Sequence, residues 1–346
     1  MKKSSSKSGQ PLLSDVAAAA GVTLATASRA LSGAYGVHPE TRKRVVELAA
    51  QLNYKPNRFA RGLVTGRSNV AGLIVSDICN PYFAEVARGV EDAAFASGLD
   101  ILLCNSDQDS TKQMRYVNSL MEKRVEGIIM SSVANLTREE QSYIAESGLP
   151  VVLIDCFVKR NSFFSTVSAD NELGGELAAE CLLAHGHRHI VHFSGPGKHG
   201  NLFMRASGFL RAVRQFGRGA EASVVHGAHT LAGGYEMAKK LFHKLGRITA
   251  ISTANDAVAF GVIKAAIEMG VRIPKDVSLI GFDDVEVAAL VHPPLTTIRQ
   301  SKHEMGVAAI EILLRHSASK DHTPEHRLLG VTLVERFSVS TLSPRK

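Results

Sequence analysis

The sequence lacks any apolar run long enough to cross a membrane. Met1 to Gln10 is a Lys/Ser/Gly tail with nothing hydrophobic behind it, so neither a signal peptide nor a membrane anchor is expected, and the chain reads as cytoplasmic. Cysteine is scarce: Cys79, Cys104, Cys156 and Cys181 stand far apart with no C-x-x-C pair. That spacing suits reduced, buried thiols better than a disulfide or zinc framework. No Ser/His/Asp or Cys/His order stands out with supporting context, so the chain reads as a protein that is not an enzyme and needs no cofactor. The remaining composition is ordinary for a folded protein. The 346 residues are 45% hydrophobic and 21% charged, enough to bury a core in two or three compact units.

The net charge of +7 is unevenly spread. Residues 1–68 hold eleven Lys and Arg against Asp15, Glu40 and Glu47, a surplus of +8, and leave the remaining 278 residues at −1. A small basic head on a neutral body is the footprint of a nucleic-acid-binding domain, because each neutralised phosphate releases counterions. A merely solvated charged face would look the same by charge alone.

Local pattern separates the two. In "DVAAAAGVTLATASRALSG" (15–33), Leu13 to Ala20 reads as a short helix, Gly21 supplies the positive φ that ends it, and Thr23 caps a second helix from Leu24 to about Ser32. Ala17, Ala20, Ala27 and Ala30 are small enough for the two helices to cross closely. A third helix opens at Pro39 and carries Val45, Leu48, Ala49 and Leu52 at helical spacing to cover the pair. In a helix-turn-helix the second helix enters the major groove and presents its first residues to base edges. The candidate DNA-contacting residues are therefore Thr23, Leu24, Ala25, Thr26, Ser28 and Arg29. Leu24 and Ala25 can meet only thymine methyls or exclude bulk, which leaves Arg29 as the hydrogen-bonding reader.

The rest of the chain alternates strand and helix signals. "NVAGLIVSDI", "LDILLCN", "EGIIMSS", "LPVVLID", "HRHIVHFSG", "ASVVHG", "ITAIST" and "VSLIGFDD" are short Val/Ile/Leu runs separated by helical stretches, the pattern of parallel sheets wound on both faces. So many strands fit two lobes better than one open sheet. Gly98, Gly148, Gly186 and Gly270 fall where left-handed helix caps are wanted. Parallel lobes bind ligands beyond the carboxyl ends of their strands. Those ends carry Asp77, Asn80, Tyr82, Phe83, Asn105, Asp107, Asp155, Asn255, Asp256, Asp283 and Asp284, and Arg205 opens a helix beside them. Carboxylates and amides suit hydroxyl groups, and an aromatic ring can lie against a sugar or base. Asp256 and Asp284 read as structural members of the set, in turns or caps.

Residues 15–33, together with "VHPETRKRVVELAAQLNYKPNRFARGL", "NPYF", "VEGIIMSS", "GHRHI", "ANDAVAFGVIKAAIEMGVRIPKDVSLIGFDD" and "HPPLTTIRQ", give the chain a pattern that resembles the LacI/GalR family of bacterial transcription regulators over nearly all of its length after the tail. The resemblance implies a disordered tail (1–10), an all-α helix-turn-helix headpiece (11–55), a hinge (56–67) and an α/β body (68–346) of two doubly wound parallel-sheet lobes like those of periplasmic binding proteins. It places the first lobe at about 68–166 and 296–326 and the second at about 167–295 and 327–346. In the family the hinge forms a short helix on the operator and wedges a leucine into the minor groove. The matching residue is Leu63, with Asn57 and Ala60 on the same face. The family's effector positions fall on Asn80, Tyr82, Phe83, Asp155, Arg205, Asn255, Asp283 and Gln300, and Asp107 and His229 complete the candidate set. Two positions depart from many relatives: Cys156 replaces an arginine, and His229 an aromatic.

The resemblance thus implies a homodimeric repressor of a pseudo-palindromic DNA operator, released or tightened by a small polar effector such as a sugar. After the last strand only "SVSTLSPRK" remains, with no leucine heptads, so dimers are expected and not the tail-joined tetramers of some relatives. Alternatives are control by a protein partner or by a purine. "GPGKHG" (195–200) matches a dinucleotide fingerprint, with Glu221 at the right distance, but it lies mid-body, and His199 stands where a P-loop needs Ser or Thr. His185, His187 and His189, with His192 and His199 nearby, invite a metal reading. Alternating along a turn and strand, the first three are expected to point apart.

Overall fold

The computed structural model describes residues 11–55, 68–131, 136–156, 163–197, 200–319 and 323–342. They form two compact units, one up to Ser68 and one from Asn69 onward.

Among the described residues, the first unit contains three helices: α1 (Leu13–Ala20), α2 (Leu24–Ser32) and α3 (Pro39–Gln51). Gly21 ends α1 at φ 62°, and the Thr23 hydroxyl accepts the Thr26 amide at 3.1 Å to start α2. The core is made of Val16, Ala17, Ala20, Ala27, Ala30, Val45 and Ala49. The alanines therefore sit where the helices meet, with no bulk to hold them apart. Leu52, expected to cover this core, is instead exposed.

The second unit contains strands and helices in the order β1 (Val70–Val75), α4 (Pro81–Ala96), β2 (Asp100–Asn105), α5 (Ser110–Glu122), β3 (Ile128–Ser131), α6 (Arg138–Glu146), β4 (Val151–Ile154) and β5 (Ser165–Ala169). Then come α7 (Asn171–Ala184), β6 (His189–Ser194), α8 (Asn201–Phe216), β7 (Glu221–His226), α9 (Leu231–Phe242), β8 (Ala250–Thr253), α10 (Asp256–Met269) and β9 (Ser278–Asp283). The last elements are β10 (Thr296–Gln300), α11 (Lys302–Ala318), β11 (His326–Leu329) and β12 (Val331–Val334). Two six-stranded sheets result, ordered β11-β5-β4-β3-β1-β2 and β12-β10-β9-β8-β6-β7. Neighbours are parallel throughout, except that β12 runs antiparallel to β10.

The chain passes between the sheets three times, but later than the sequence suggested. β5 lies wholly in the first sheet, so that lobe runs to about 169 instead of 166. β10 belongs to the second sheet, not to the first lobe that 296–326 was assigned to, and β11 still belongs to the first. The physical reason is pairing: Thr296–Arg299 align with Ile280–Asp283 in parallel register, and only α11 returns to pack on α4. The largest apolar cluster includes Val75, Tyr82, Val167, Phe209, Ile298 and Met305, so both lobes contribute to one continuous core.

Three helix pairs cover these sheets, and each pair meets glycine to glycine. A methyl group at Gly175 of α7 would lie 2.0 Å from the Arg205 carbonyl of α8, and one at Gly208 would lie 2.1 Å from the Glu172 carbonyl. Gly234 and Gly261 bring α9 and α10 together in the same way, and Gly89 and Gly306 do so for α4 and α11. Backbones that close leave no room for a Cβ.

Candidate functional site

In the first unit, the cap residue Thr23 and, on α2, Leu24, Ala25, Ser28 and Arg29 are all exposed, and Thr26 is half-buried. Ala27 and Ala30 turn the opposite face inward. The predicted readers therefore share one solvent-facing surface at the start of a capped helix. Asn57, Ala60 and Leu63 lie outside the described residues.

In the second unit, the carboxyl ends of both sheets border a cavity of about 930 Å³. Asn80, Tyr82, Phe83, Asp155, Arg205, His229, Asn255 and Asp283 all line it. At its centre is Arg205, which is almost fully buried. Its Nη2 lies 3.6 Å from Asp155 Oδ2, and its Nη1 lies 3.6 Å from Asp283 Oδ1. Nε donates to Asn171 Oδ1 at 2.7 Å, and Nη1 donates to the Ala254 carbonyl at 2.6 Å. The guanidinium stacks 3.8 Å from the centre of the Phe282 ring, which adds a cation–π attraction in a desolvated place.

Asp155 and Asp283 both end strands in unusual backbone: φ is 51° at Asp155 and 122° at Asp283. Such geometry is costly for a residue with a Cβ and persists where surrounding contacts fix it. For Asp283 those contacts are Gln300 Nε2, donating to its Oδ1 at 2.7 Å, and Lys302 Nζ, donating to its carbonyl at 2.7 Å. Burial pushes the Asp283 carboxyl up to about 7, although Arg205 pulls against the shift. Burial also raises the Tyr82 hydroxyl, helped by the charges of Asp155 and Asp283. His229 is lowered by burial and by Arg205, and its Nδ1 has no hydrogen-bond partner among the described residues.

Two expected members stand elsewhere. Asp107 is not in the lining: it is exposed, bonded to Asn105 Nδ2 and Lys112 Nζ at 2.5 Å each, so its charge is spent on a surface turn. Gln300 is also outside the lining, behind Asp283, which it orients. Asn80 and Asn255 line the cavity but also cap helices, accepting the amides of Tyr82 and Val258 at 3.0 and 2.9 Å. Asp256 is fully buried and bonds Thr297 and the Val285 amide, and Asp284 pairs with Arg299 and Arg336, so both brace the strand ends. Sequence pattern alone did not mark Asn201, which donates to Asp155 Oδ1 and stands four residues before Arg205 on the same helix face. Nor did it mark the apolar wall of Leu136, Leu153, Phe164, Phe260 and Val285.

The histidines disperse. His187 contacts Thr249 Oγ1 and the Ser340 carbonyl, His189 faces Glu221, and His192 bonds Ser252. Lys198 and His199 of "GPGKHG" lie outside the described residues.

A helix-turn-helix unit joined to a two-lobe α/β unit with a polar cleft is the build of a ligand-binding DNA regulator. The chain belongs to the LacI family. Residues 12–57 match the bacterial regulatory proteins, lacI family, and residues 179–339 match the periplasmic binding protein-like domain. The chain is 36% identical over 307 residues to catabolite control protein A of Priestia megaterium, covering 87% of this chain and 91% of that protein. It superposes on the crystal structure of the Lac repressor dimer bound to operator and the anti-inducer ONPF with a TM-score of 0.84 and 27% identity, over 96% of this chain and 100% of that one. A LacI family regulator from Enterococcus faecium with bound ribose gives 0.71 and 29%, over 79% of this chain and 100% of that one.

Proposed function

We propose that the protein is a homodimeric repressor that binds a pseudo-palindromic operator through α2, and that a small, uncharged, polyhydroxylated effector in the cleft sets its DNA affinity. It works by binding and not by catalysis. The observation that carries the effector class is the Asp155–Arg205–Asp283 arrangement. Among the described residues, the one buried cation of the lining is flanked by two carboxylates, and its Nε and Nη1 protons are directed to Asn171 and Ala254. A phosphate or carboxylate placed there meets negative charge, whereas hydroxyl groups can donate to the two aspartates and accept from Nη2. The walls of Phe164, Phe260, Leu153 and Val285 suit the apolar face of a ring.

Dimerisation is favoured by the resemblance to the operator-bound Lac repressor dimer and by β2. That strand ends the first sheet with Leu102 and Leu103 exposed by 40% and 49%, an apolar edge that a second copy would cover. Effector binding changes the angle between the first lobes of the dimer, and through the hinge residues Asn57, Ala60 and Leu63 it alters operator affinity. A coupling of about 1–3 kcal/mol, roughly 5- to 150-fold, is typical of such linkage.

The test is a thermal-shift screen of the full chain against neutral mono- and disaccharides, sugar phosphates, sugar acids and purines, followed by operator titrations with and without each hit. A ligand at 100 times its dissociation constant adds about 2.7 kcal/mol. A shift with a neutral sugar that also moves operator affinity supports the reading. Shifts confined to phosphorylated or acidic sugars overturn the effector class, a purine hit transfers control to a base, and no shift beside intact operator binding transfers it to a protein partner.

A further inference from the structure

Away from the cleft, three side chains able to ligate a metal come together from two separate parts of the second lobe. Cys181 and His185 stand one turn apart at the C-terminal end of α7, and Glu335 follows β12. One ligand atom from each lies within 4.8 Å of the other two. We propose that this group binds a divalent cation of the zinc class, with Cys181 Sγ, His185 and Glu335 as three ligands and a water as the fourth.

The local bonding prepares the site. His185 Nδ1 lies 2.8 Å from the Cys181 carbonyl oxygen. A carbonyl only accepts, so Nδ1 carries the proton and Nε2 keeps its electron pair for a cation. Anchoring one ring nitrogen on a backbone carbonyl is how metal-binding histidines are commonly oriented. A sulfur, an imidazole and a carboxylate select a borderline-soft ion such as Zn²⁺ over Mg²⁺ or Ca²⁺, which prefer oxygen alone. Thiolate and carboxylate together neutralise the two positive charges.

Tetrahedral zinc bonds of about 2.0–2.3 Å place neighbouring ligand atoms about 3.3–3.8 Å apart. The group must therefore close slightly. Glu335 is exposed and can make that movement, while the Cys181 sulfur is held in the core. Burial and the nearby Glu335 carboxylate push the free thiol up to about 12, so it is protonated at neutral pH. The cation displaces that proton to solvent as the metal–sulfur bond forms, one proton per ion bound.

The site also has a mechanical consequence. Glu335 adjoins Arg336, which donates to Asp284 Oδ1 at 2.6 Å and to the Leu295 carbonyl at 2.7 Å. A cation here fastens to α7 the same segment that braces the strand end bearing Asp283.

The experiment titrates Co²⁺, and then competing Zn²⁺, into the full-length, reduced, metal-stripped protein while absorbance is followed. The expected result is one equivalent bound, with a thiolate-to-cobalt charge-transfer band that Zn²⁺ abolishes. Cys181→Ser should remove the band, and His185→Gln and Glu335→Gln should each weaken binding at least tenfold. Absence of the band in the unsubstituted protein overturns the proposal, as does a band that survives Cys181→Ser. Should Cys181→Ser fail to fold, the other two variants decide, because both alter side chains outside the core. Unchanged affinity in that pair overturns the site.

Discussion

Arg205 and Asp283 face each other across 3.6 Å, Nη1 to Oδ1, with both side chains almost completely out of water. Asp155 holds the other end of the guanidinium at the same distance. Two buried carboxylates with a single cation between them form an arrangement that depends on every member. Removing the cation leaves uncompensated charge in a low dielectric, which costs about 3–5 kcal/mol. Arg205→Ala should therefore lower the urea midpoint sharply as well as abolish effector binding. Arg205→Ala combined with Asp283→Asn should regain part of that loss, because the double variant has one fewer stranded charge. Equal stability of the single and double variants in urea titration would sink the argument.

Asp283 should make effector binding depend on pH. Its carboxyl is raised to about 7 by burial, so it gains a proton as pH falls through that value. The charged form accepts hydroxyl protons more strongly than the neutral one. Effector affinity should rise by up to about tenfold between pH 6 and 8, and Asp283→Asn should flatten the profile. Calorimetric titration at three pH values checks this. A slope that Asp283→Asn leaves intact belongs to another group.

His192 acts on stability in the opposite sense to Asp283. The ring is enclosed, its pKa is lowered to about 3 by burial and by the charge of Arg205, and it is held neutral against Ser252 and Phe209. Unfolding lets it take a proton at the ordinary value near 6.5. The stability linked to the neutral ring is complete above about pH 6.5 and drains away as pH falls towards 3, reaching about 2 kcal/mol lost at pH 5. The raised Asp283 has the reverse sign, since its protonated form favours the fold, and that contribution fades as pH rises through 7. Measured between pH 7.5 and 5, His192→Gln should therefore lose less stability than the parent, and Asp283→Asn should lose more. The same pH slope in all three proteins would contradict both assignments.

Much of this was legible in the chain. Eight of the twelve described strands announce themselves as apolar runs. β5 does not, because "STVSA" gives a buried position to serine and threonine, whose hydroxyls bond the chain around Glu325 and His326. Asp155 and Asp283 stand out as polar residues at strand ends, and Arg205 as a cation in the first turns of the helix beside them. Gln300 and Asp107 carry the same local signal, and only tertiary contacts show that one supports Asp283 and the other bonds Lys112. The glycine crossings were invisible, since Gly175 has no unusual φ and its role depends wholly on where α8 passes.

At that crossing a methyl group on Gly175 would meet the Arg205 carbonyl at 2.0 Å, so Gly175→Ala must push α8 away and carry Arg205 with it. Overpacking of this kind costs about 1–3 kcal/mol or more. The variant should be destabilised and should also bind effector poorly, although residue 175 is outside the cavity lining. Gly330→Ala is the control, because a Cβ there meets nothing within 4 Å. Equal effects of the two substitutions in thermal melts and effector titrations would show that the close approach is not limiting.

On the α2 surface proposed to face DNA, base reading and phosphate positioning can be separated. Arg29 is exposed on α2, three residues beyond the Thr26 whose amide bonds the Thr23 cap. If its guanidinium reads a guanine, Arg29→Ala should cost about 1–3 kcal/mol on the cognate operator and relax preference at one base pair per half-site. Lys43→Ala, a loss of charge on the neighbouring helix α3, should change affinity without changing which base is preferred. Leu24 is also exposed, and as an apolar side chain it can recognise only a methyl group or a shape. Leu24→Ala should weaken binding to operators with thymine at its position and leave the matching uracil-substituted operator unaffected. Selection from randomised operators, read by sequencing for all three variants, distinguishes these outcomes. An Arg29→Ala protein that keeps the parent's base preference at every position would remove Arg29 from the reading surface and return it to phosphate contact.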